Sequence, residues 1–91
     1  MMNLLPKLTI ITPSINQGGY IEETIRSVLS QNYQHVEHIV IDGGSTDSTI
    51  DVLKKYPHLL WASEKDRGQA DALNKGFARA TGDIVGWINS D

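Results

Sequence analysis

The chain has 91 residues, 40% of them hydrophobic and 21% charged, a composition that suits one small globular domain and is too short for two. Its net charge of −3 argues against a nucleic-acid binder, which would present a basic face. Without cysteine, disulfides, thiolate catalysis and cysteine-held metals are excluded. Residues 1–7 lack the charged region and apolar core of a signal peptide. No apolar run approaches the roughly 20 residues of a spanning helix. The cytoplasm is therefore the default compartment, with membrane association of a longer protein left open.

Along the chain, short apolar runs alternate with helical patterns. Leu8-Thr9-Ile10-Ile11-Thr12 reads as a buried strand that stops at Pro13. After a polar stretch, Ile21, Ile25, Val28 and Leu29 recur at helical spacing, with Glu22 and Glu23 in the first turn. His38-Ile39-Val40-Ile41 is a second buried strand, followed by Asp42-Gly43-Gly44. Ser45 or Thr46 is placed to cap a second helix, which turns Ile50, Leu53 and Tyr56 inward and ends at Pro57. Leu59-Leu60-Trp61-Ala62 forms a third strand. A third helix is anchored by Leu73, Phe77 and Ala80, with Gly82 as its C′ residue. Asp83 to Ile88 is a fourth strand, and Trp61 and Trp87 are expected in the core. His35, His38 and His58 lack ligand-like spacing and read as surface or structural. This alternation implies right-handed βαβ units: an α/β, Rossmann-like open and mostly parallel sheet of about four strands and three helices.

In such a sheet, ligands bind outside the carboxyl ends of the strands. Four polar segments converge there: Pro13 to Asn16, Asp42 to Ser45, Ser63 to Gln69, and Asn89-Ser90-Asp91. There is no G-x-G-x-x-G after the first strand and no P-loop, which disfavours a dehydrogenase and a P-loop enzyme. A nucleotide held here would need a divalent cation to neutralise its diphosphate.

The segments Ile11-Thr12-Pro13-Ser14-Ile15-Asn16, Ser27 to Gln31, Ile41 to Asp47, Gly68 to Gly76, and Gly82 to Asp91 resemble, in order and spacing, the motif series of family-2 glycosyltransferases of the GT-A fold. The resemblance covers nearly the whole chain as the N-terminal, nucleotide-sugar-binding part, with residue 91 at the D-x-D-like motif. It implies that Pro13, Ser14 and Asn16 lie against the nucleotide base, with a tight turn in which Asn16 caps the first helix as the alternative. Asp42 aligns with the first of two acids and is a candidate donor contact, with helix capping or a structural role as the alternative. Gly43 replaces the second acid, which weakens a uracil assignment, and Ile15 stands where the family carries an aromatic residue. Arg67, beside Gly68, is placed to meet a phosphate, or else to pair with Asp66 or Glu64. Asp71 and Asn74 share a helix face, and Asn74 would face the pocket or satisfy a backbone group. Asn89 replaces the first acid of D-x-D and could bond a ribose hydroxyl. Asp91 matches the acid that holds the divalent metal, Mg²⁺ or Mn²⁺.

The implied reaction is inverting transfer of a sugar from a nucleotide-diphosphate donor to a hydroxyl of a sugar or lipid-linked acceptor, as in the making of cell-envelope polysaccharides. The base and the acceptor surface would lie downstream, so the 91-residue chain is expected to bind donor weakly without turnover. It is also expected to self-associate through an exposed sheet edge. A nucleotidyltransferase, or a non-catalytic α/β binding or assembly module, remains as the alternative.

Overall fold

The computed structural model describes residues 5–65 and 67–90. In chain order the elements are β1 (Leu8–Ser14), α1 (Ile21–Ser30), β2 (Val36–Asp42), α2 (Thr49–Lys54), β3 (Leu60–Ser63), α3 (Gln69–Arg79) and β4 (Ile84–Trp87). All strand pairs are parallel, and the sheet order is β3-β2-β1-β4. The α/β class and the parallel sheet expected from the alternation are what the chain adopts.

The order dictates where the helices go. Crossovers run outward from β1 through β2 to β3, and the next one reverses to reach β4 on the other side of β1. With right-handed crossovers, that reversal puts α3 on the opposite face from α1 and α2. The side chains follow the two-residue period of a strand. Val40 packs with Ile21 and Ile25 of α1 and Val52 and Leu53 of α2, whereas Ile39 and Ile41 join Ala72 of α3.

Several details depart from the sequence reading. β1 runs through Pro13 to Ser14; pairing with β4 has ended at Ile11 and Trp87, so the proline's missing N–H deprives no ladder partner there. β3 spans Leu60–Ser63, one residue later than expected at each end. α2 begins at Thr49, and it is Asp47, rather than Ser45 or Thr46, that accepts the Thr49 N–H, at 2.9 Å. Gly82 is not the C′ residue of α3, which ends at Arg79 with an extended Ala80. Gly82 is small because an added Cβ would lie 2.7 Å from the Thr9 backbone nitrogen and 2.9 Å from the Lys7 carbonyl oxygen.

α3 also presents a different face from the one its large residues suggest. Phe77 is 47% exposed, Leu73 and Ala80 are half-buried, and the residues turned to the sheet are Ala72 and Gly76. Close approach explains this, since a Cβ on Gly76 would sit 2.4 Å from Ile11 Cγ2. Leu29 is likewise exposed. Trp61 is half-buried against the α1/α2 core, but Trp87 is 47% exposed because β4 has a strand neighbour on one side only.

At the amino ends of the strands, Glu37 gathers the sheet. Its carboxylate accepts the Thr9 hydroxyl at 2.9 Å, the Thr81 N–H at 3.0 Å and the Thr81 hydroxyl at 2.9 Å, with Lys7 Nζ at 3.4 Å. Burial pushes this carboxyl up, but the Thr81 and Thr9 bonds and the Lys7 charge outweigh it and hold it below 4.5. The knot fixes how the turn before β4 meets β1, and so where β4 delivers Asn89 and Ser90. On the α1/α2 side, His38 is buried and shares a 2.8 Å hydrogen bond with the Thr12 hydroxyl. Burial, helped by the charge of His58, pushes its pKa down from 6.5 to about 4. His38 is therefore the structural histidine of the three.

Two outcomes are expected in urea unfolding. Gly76→Ala should destabilise the protein by about 1–3 kcal/mol through overpacking, although alanine favours an isolated helix; a more stable variant would show that Ile11 yields. Between pH 6.5 and about 4 the unfolded chain binds a proton on His38 that the folded chain refuses. Stability should therefore fall with pH through that window, by up to roughly 1.4 kcal/mol per pH unit. Below it the Glu37 contribution is lost as well, as pH drops through its depressed value. His38→Gln should flatten the upper part of the profile.

Candidate functional site

The reversal in sheet order opens a crevice between the carboxyl ends of β1 and β4, the place where open parallel sheets take ligands. A cleft of about 310 Å³ lies there. Pro13, Ser14, Ile15 and Gln17 from the end of β1 form one wall, and Asn89 and Ser90 beyond β4 form another. Gly68, Gln69 and Ala72 close it with the first turn of α3. Among the described residues every lining side chain is neutral. The polar groups are hydroxyls and amides, and Gln69 Nε2 donates to Asn89 Oδ1 at 3.1 Å across the cleft. Ser14 is 6% exposed, and its buried hydroxyl has no hydrogen-bond partner. Buried polar atoms are nearly always paired; His38 Nδ1 is the other exception among the described residues, but only the Ser14 oxygen belongs to a cleft residue.

Of the residues singled out in the sequence, the structure brings Pro13, Ser14, Gly68 and Asn89 to the cleft. Asn16, Asp42 and Arg67 are not among its lining residues. Asp42 is fully buried and accepts four bonds: Gly44 N–H at 3.1 Å, Ser45 N–H at 2.8 Å, Ser45 Oγ at 2.5 Å and Ser63 Oγ at 2.8 Å. This geometry is the structural alternative weighed for that residue. Gly44 completes the turn at φ +90°, a value L side chains rarely adopt, with the Lys65 backbone packed beside it. Arg67 is exposed in the loop before α3. Its N–H donates to Asp71 Oδ2 at 2.9 Å, and that bond and the Lys75 ammonium, against some desolvation, hold the Asp71 carboxyl below 3.8. Glu64, one partner considered for Arg67, instead pairs with Lys75 at 3.3 Å. Asn74 is exposed, away from the cleft. Asp66 and Asp91 lie outside the described residues. Among the described residues no three His, Asp or Glu side chains converge as a metal site.

Gln69 and Ser90 lie in polar segments expected to converge here but without a role of their own, and Gln17 lies just beyond the first segment. Gln69 begins a helix whose first turn no side chain caps, a place where polar residues meet ligands. Gln17 and Ser90 carry no such signal.

The family model for glycosyl transferase family 2 matches residues 9–91. The chain belongs to that family. It is 41% identical over 97 residues to TuaG of Bacillus subtilis, a glycosyltransferase named for a role in teichuronic acid biosynthesis, and covers all of this chain but 38% of that protein. With the uncharacterised glycosyltransferase Rv1514c of Mycobacterium tuberculosis it shares 39% identity over 92 residues, 98% of this chain and 35% of that one. Among solved structures, a mannosyltransferase of Pyrobaculum calidifontis in complex with GDP-Man and Mn²⁺ superposes with a TM-score of 0.86 at 34% identity, over 94% of this chain and 28% of that one. Glucosyl-3-phosphoglycerate synthase of M. tuberculosis, with Mn²⁺, UDP and product, gives a TM-score of 0.81 at 29% identity, over 94% of this chain and 34% of the other. The chain spans only about a third of the length of these relatives, 38% of TuaG and 35% of Rv1514c.

Because the Asp42 carboxylate is saturated by donors, replacing one of its oxygens with an amide sets N–H against N–H or O–H. Asp42→Asn should cost about 3 kcal/mol in urea unfolding. Unchanged stability would mean that the turn does not depend on the carboxylate.

Proposed function

We propose that this chain forms the donor-binding part of a glycosyltransferase and that the cleft between Ser14, Gln69 and Asn89 receives a nucleotide-diphosphate sugar. The observation that carries the reading is the position of the cleft at the reversal of the sheet, with an unpartnered buried Ser14 hydroxyl in its wall. Family membership and the complexes of similar proteins with GDP-Man or UDP support it.

Pro13 and Ser14 would contact the nucleoside, Asn89 a ribose hydroxyl, and Gly68, at the start of α3, the phosphates. Exposed Arg67 adjoins this turn and has the reach to meet a phosphate with its guanidinium. Asp42 and Asn16 belong to the site as its support. The neutral cleft suits a donor that arrives with a divalent cation, because nothing lining it among the described residues offsets a diphosphate charge. Asp91 is assigned to hold that ion, Mg²⁺ or Mn²⁺, while Asn89 brings no charge to it. When bound, the ion supplies charge stabilisation for the leaving diphosphate. The reaction of the whole enzyme would be inverting transfer to an acceptor hydroxyl on a sugar or lipid-linked molecule, at the cytoplasmic side of the cell envelope.

A thermal-shift titration with UDP, GDP and dTDP, each with and without Mn²⁺, tests this. A ligand that binds only the folded chain raises Tm, by an amount equivalent to about 2.7 kcal/mol at a hundredfold excess over Kd. One nucleotide should do so, and only with Mn²⁺. No shift with any nucleotide would refute donor binding by this chain.

A further inference from the structure

We propose that Asn16 is a positioning residue, which locks the loop after β2 onto the loop after β1 and so sets the wall of the donor cleft without touching the donor. The proposal rests on the donor reading of that cleft. Ile15 and Gln17 line the cleft, yet Asn16 between them does not. Its φ of +49° explains how its side chain serves the other loop, and Asn is among the few side chains that tolerate this region.

Asn16 faces the loop after β2 with both a donor and an acceptor. Its N–H donates to Ser45 Oγ at 2.8 Å, and its Oδ1 accepts the Thr46 N–H at 2.9 Å. The Ser45 hydroxyl in turn donates a hydrogen bond to Asp42 Oδ1 at 2.5 Å, which links the contact to the buried carboxylate. The stitching continues on either side. Gly43 N–H donates to the Ser14 carbonyl at 2.8 Å, Gln17 N–H to Thr49 Oγ1 at 3.0 Å, and Gly18 N–H to Asp47 Oδ2 at 3.0 Å. Five bonds thus join residues 14–18 to residues 43–49. Nothing from residues 42–49 lines the cleft, so that loop acts on a ligand only through the wall it holds.

Two variants separate holding from touching. Asn16→Gly keeps the left-handed backbone but removes the Oδ1 acceptor. Asn16→Asp keeps an acceptor and tolerance of that backbone while removing the amide donor. The readouts are amide hydrogen exchange at Gly43, Gln17 and Gly18, and calorimetric titration with UDP, GDP and dTDP in the presence of Mn²⁺.

Asn16→Gly should speed exchange at those amides and weaken nucleotide binding roughly tenfold, the scale of one lost hydrogen bond. Asn16→Asp should preserve exchange protection and bind within about threefold of the parent, since the retained acceptor keeps the wall in place. Unchanged exchange in Asn16→Gly overturns the lock. Restored protection with binding still lost in Asn16→Asp overturns it too, because the amide would then be contacting the donor. If the parent chain binds none of UDP, GDP and dTDP, the donor reading fails and takes the cleft-wall part of the proposal with it. The exchange rates would still decide the lock between the loops.

Discussion

A carboxylate with no exposure to water and, among the described residues, no ion-pair partner constrains the ligand end of this molecule. Burying an ion costs far more than a domain of this size can absorb unless hydrogen-bond donors surround it. Asp42 meets that demand with two backbone N–H groups and two hydroxyls, and the demand shapes its surroundings. Gly44 and Ser45 must fold back over the end of β2, which is possible because residue 44 has no Cβ at φ +90°. Ser63 must arrive at the end of β3, in register with Asp42. Once Ser45 is committed to Asp42, its oxygen still accepts a bond, and Asn16 supplies it.

The opposite end of the sheet has its own anion. Glu37 is half-buried among threonines and Lys7, and there it ties β1 and β2 to the turn before β4. β4 pairs with β1 over four residues only, Ile84 to Trp87, so its position relies on how it enters the sheet. The two anions therefore divide the work. Glu37 sets where β4 starts and hence where Asn89 and Ser90 emerge; Asp42 sets the loop against which the β1 wall is held.

How legible this was in the sequence depends on which force decides each feature. Strand and helix order came through because apolar periodicity is local, and the parallel sheet followed from chain connectivity. Helix faces were less legible. Phe77 and Leu73 look like the anchors of α3 by size, but Gly76 against Ile11 shows that close approach chose the small residues instead. Trp87 misled for a related reason: an apolar strand reads as buried whether it has neighbours on one side or two. Much of the cleft was legible, since Pro13, Ser14, Gly68 and Asn89 line it as the motifs implied and Gln69 and Ser90 fall in the converging polar segments, while Gln17 joins them without a distinctive signal.

The residues that the motifs name but the cleft does not use show the limit of motif reading. A polar residue at the end of a strand has two possible audiences, a ligand or a neighbouring loop, and its identity suits both. Asn16 and Asp42 have the chemistry to bond a nucleoside, and the same chemistry bonds Thr46, Gly44 and Ser45. What separates the two roles is saturation. Asp42 already accepts four bonds within the chain, whereas the Ser14 hydroxyl, in the same belt of polar loops, is buried with nothing to bond. A buried polar atom without a partner is costly to keep. Of the two such atoms among the described residues, Ser14 Oγ and His38 Nδ1, only the first belongs to a cleft residue. An unsatisfied group in a cleft is thus a better pointer to a ligand than a residue the motif makes prominent.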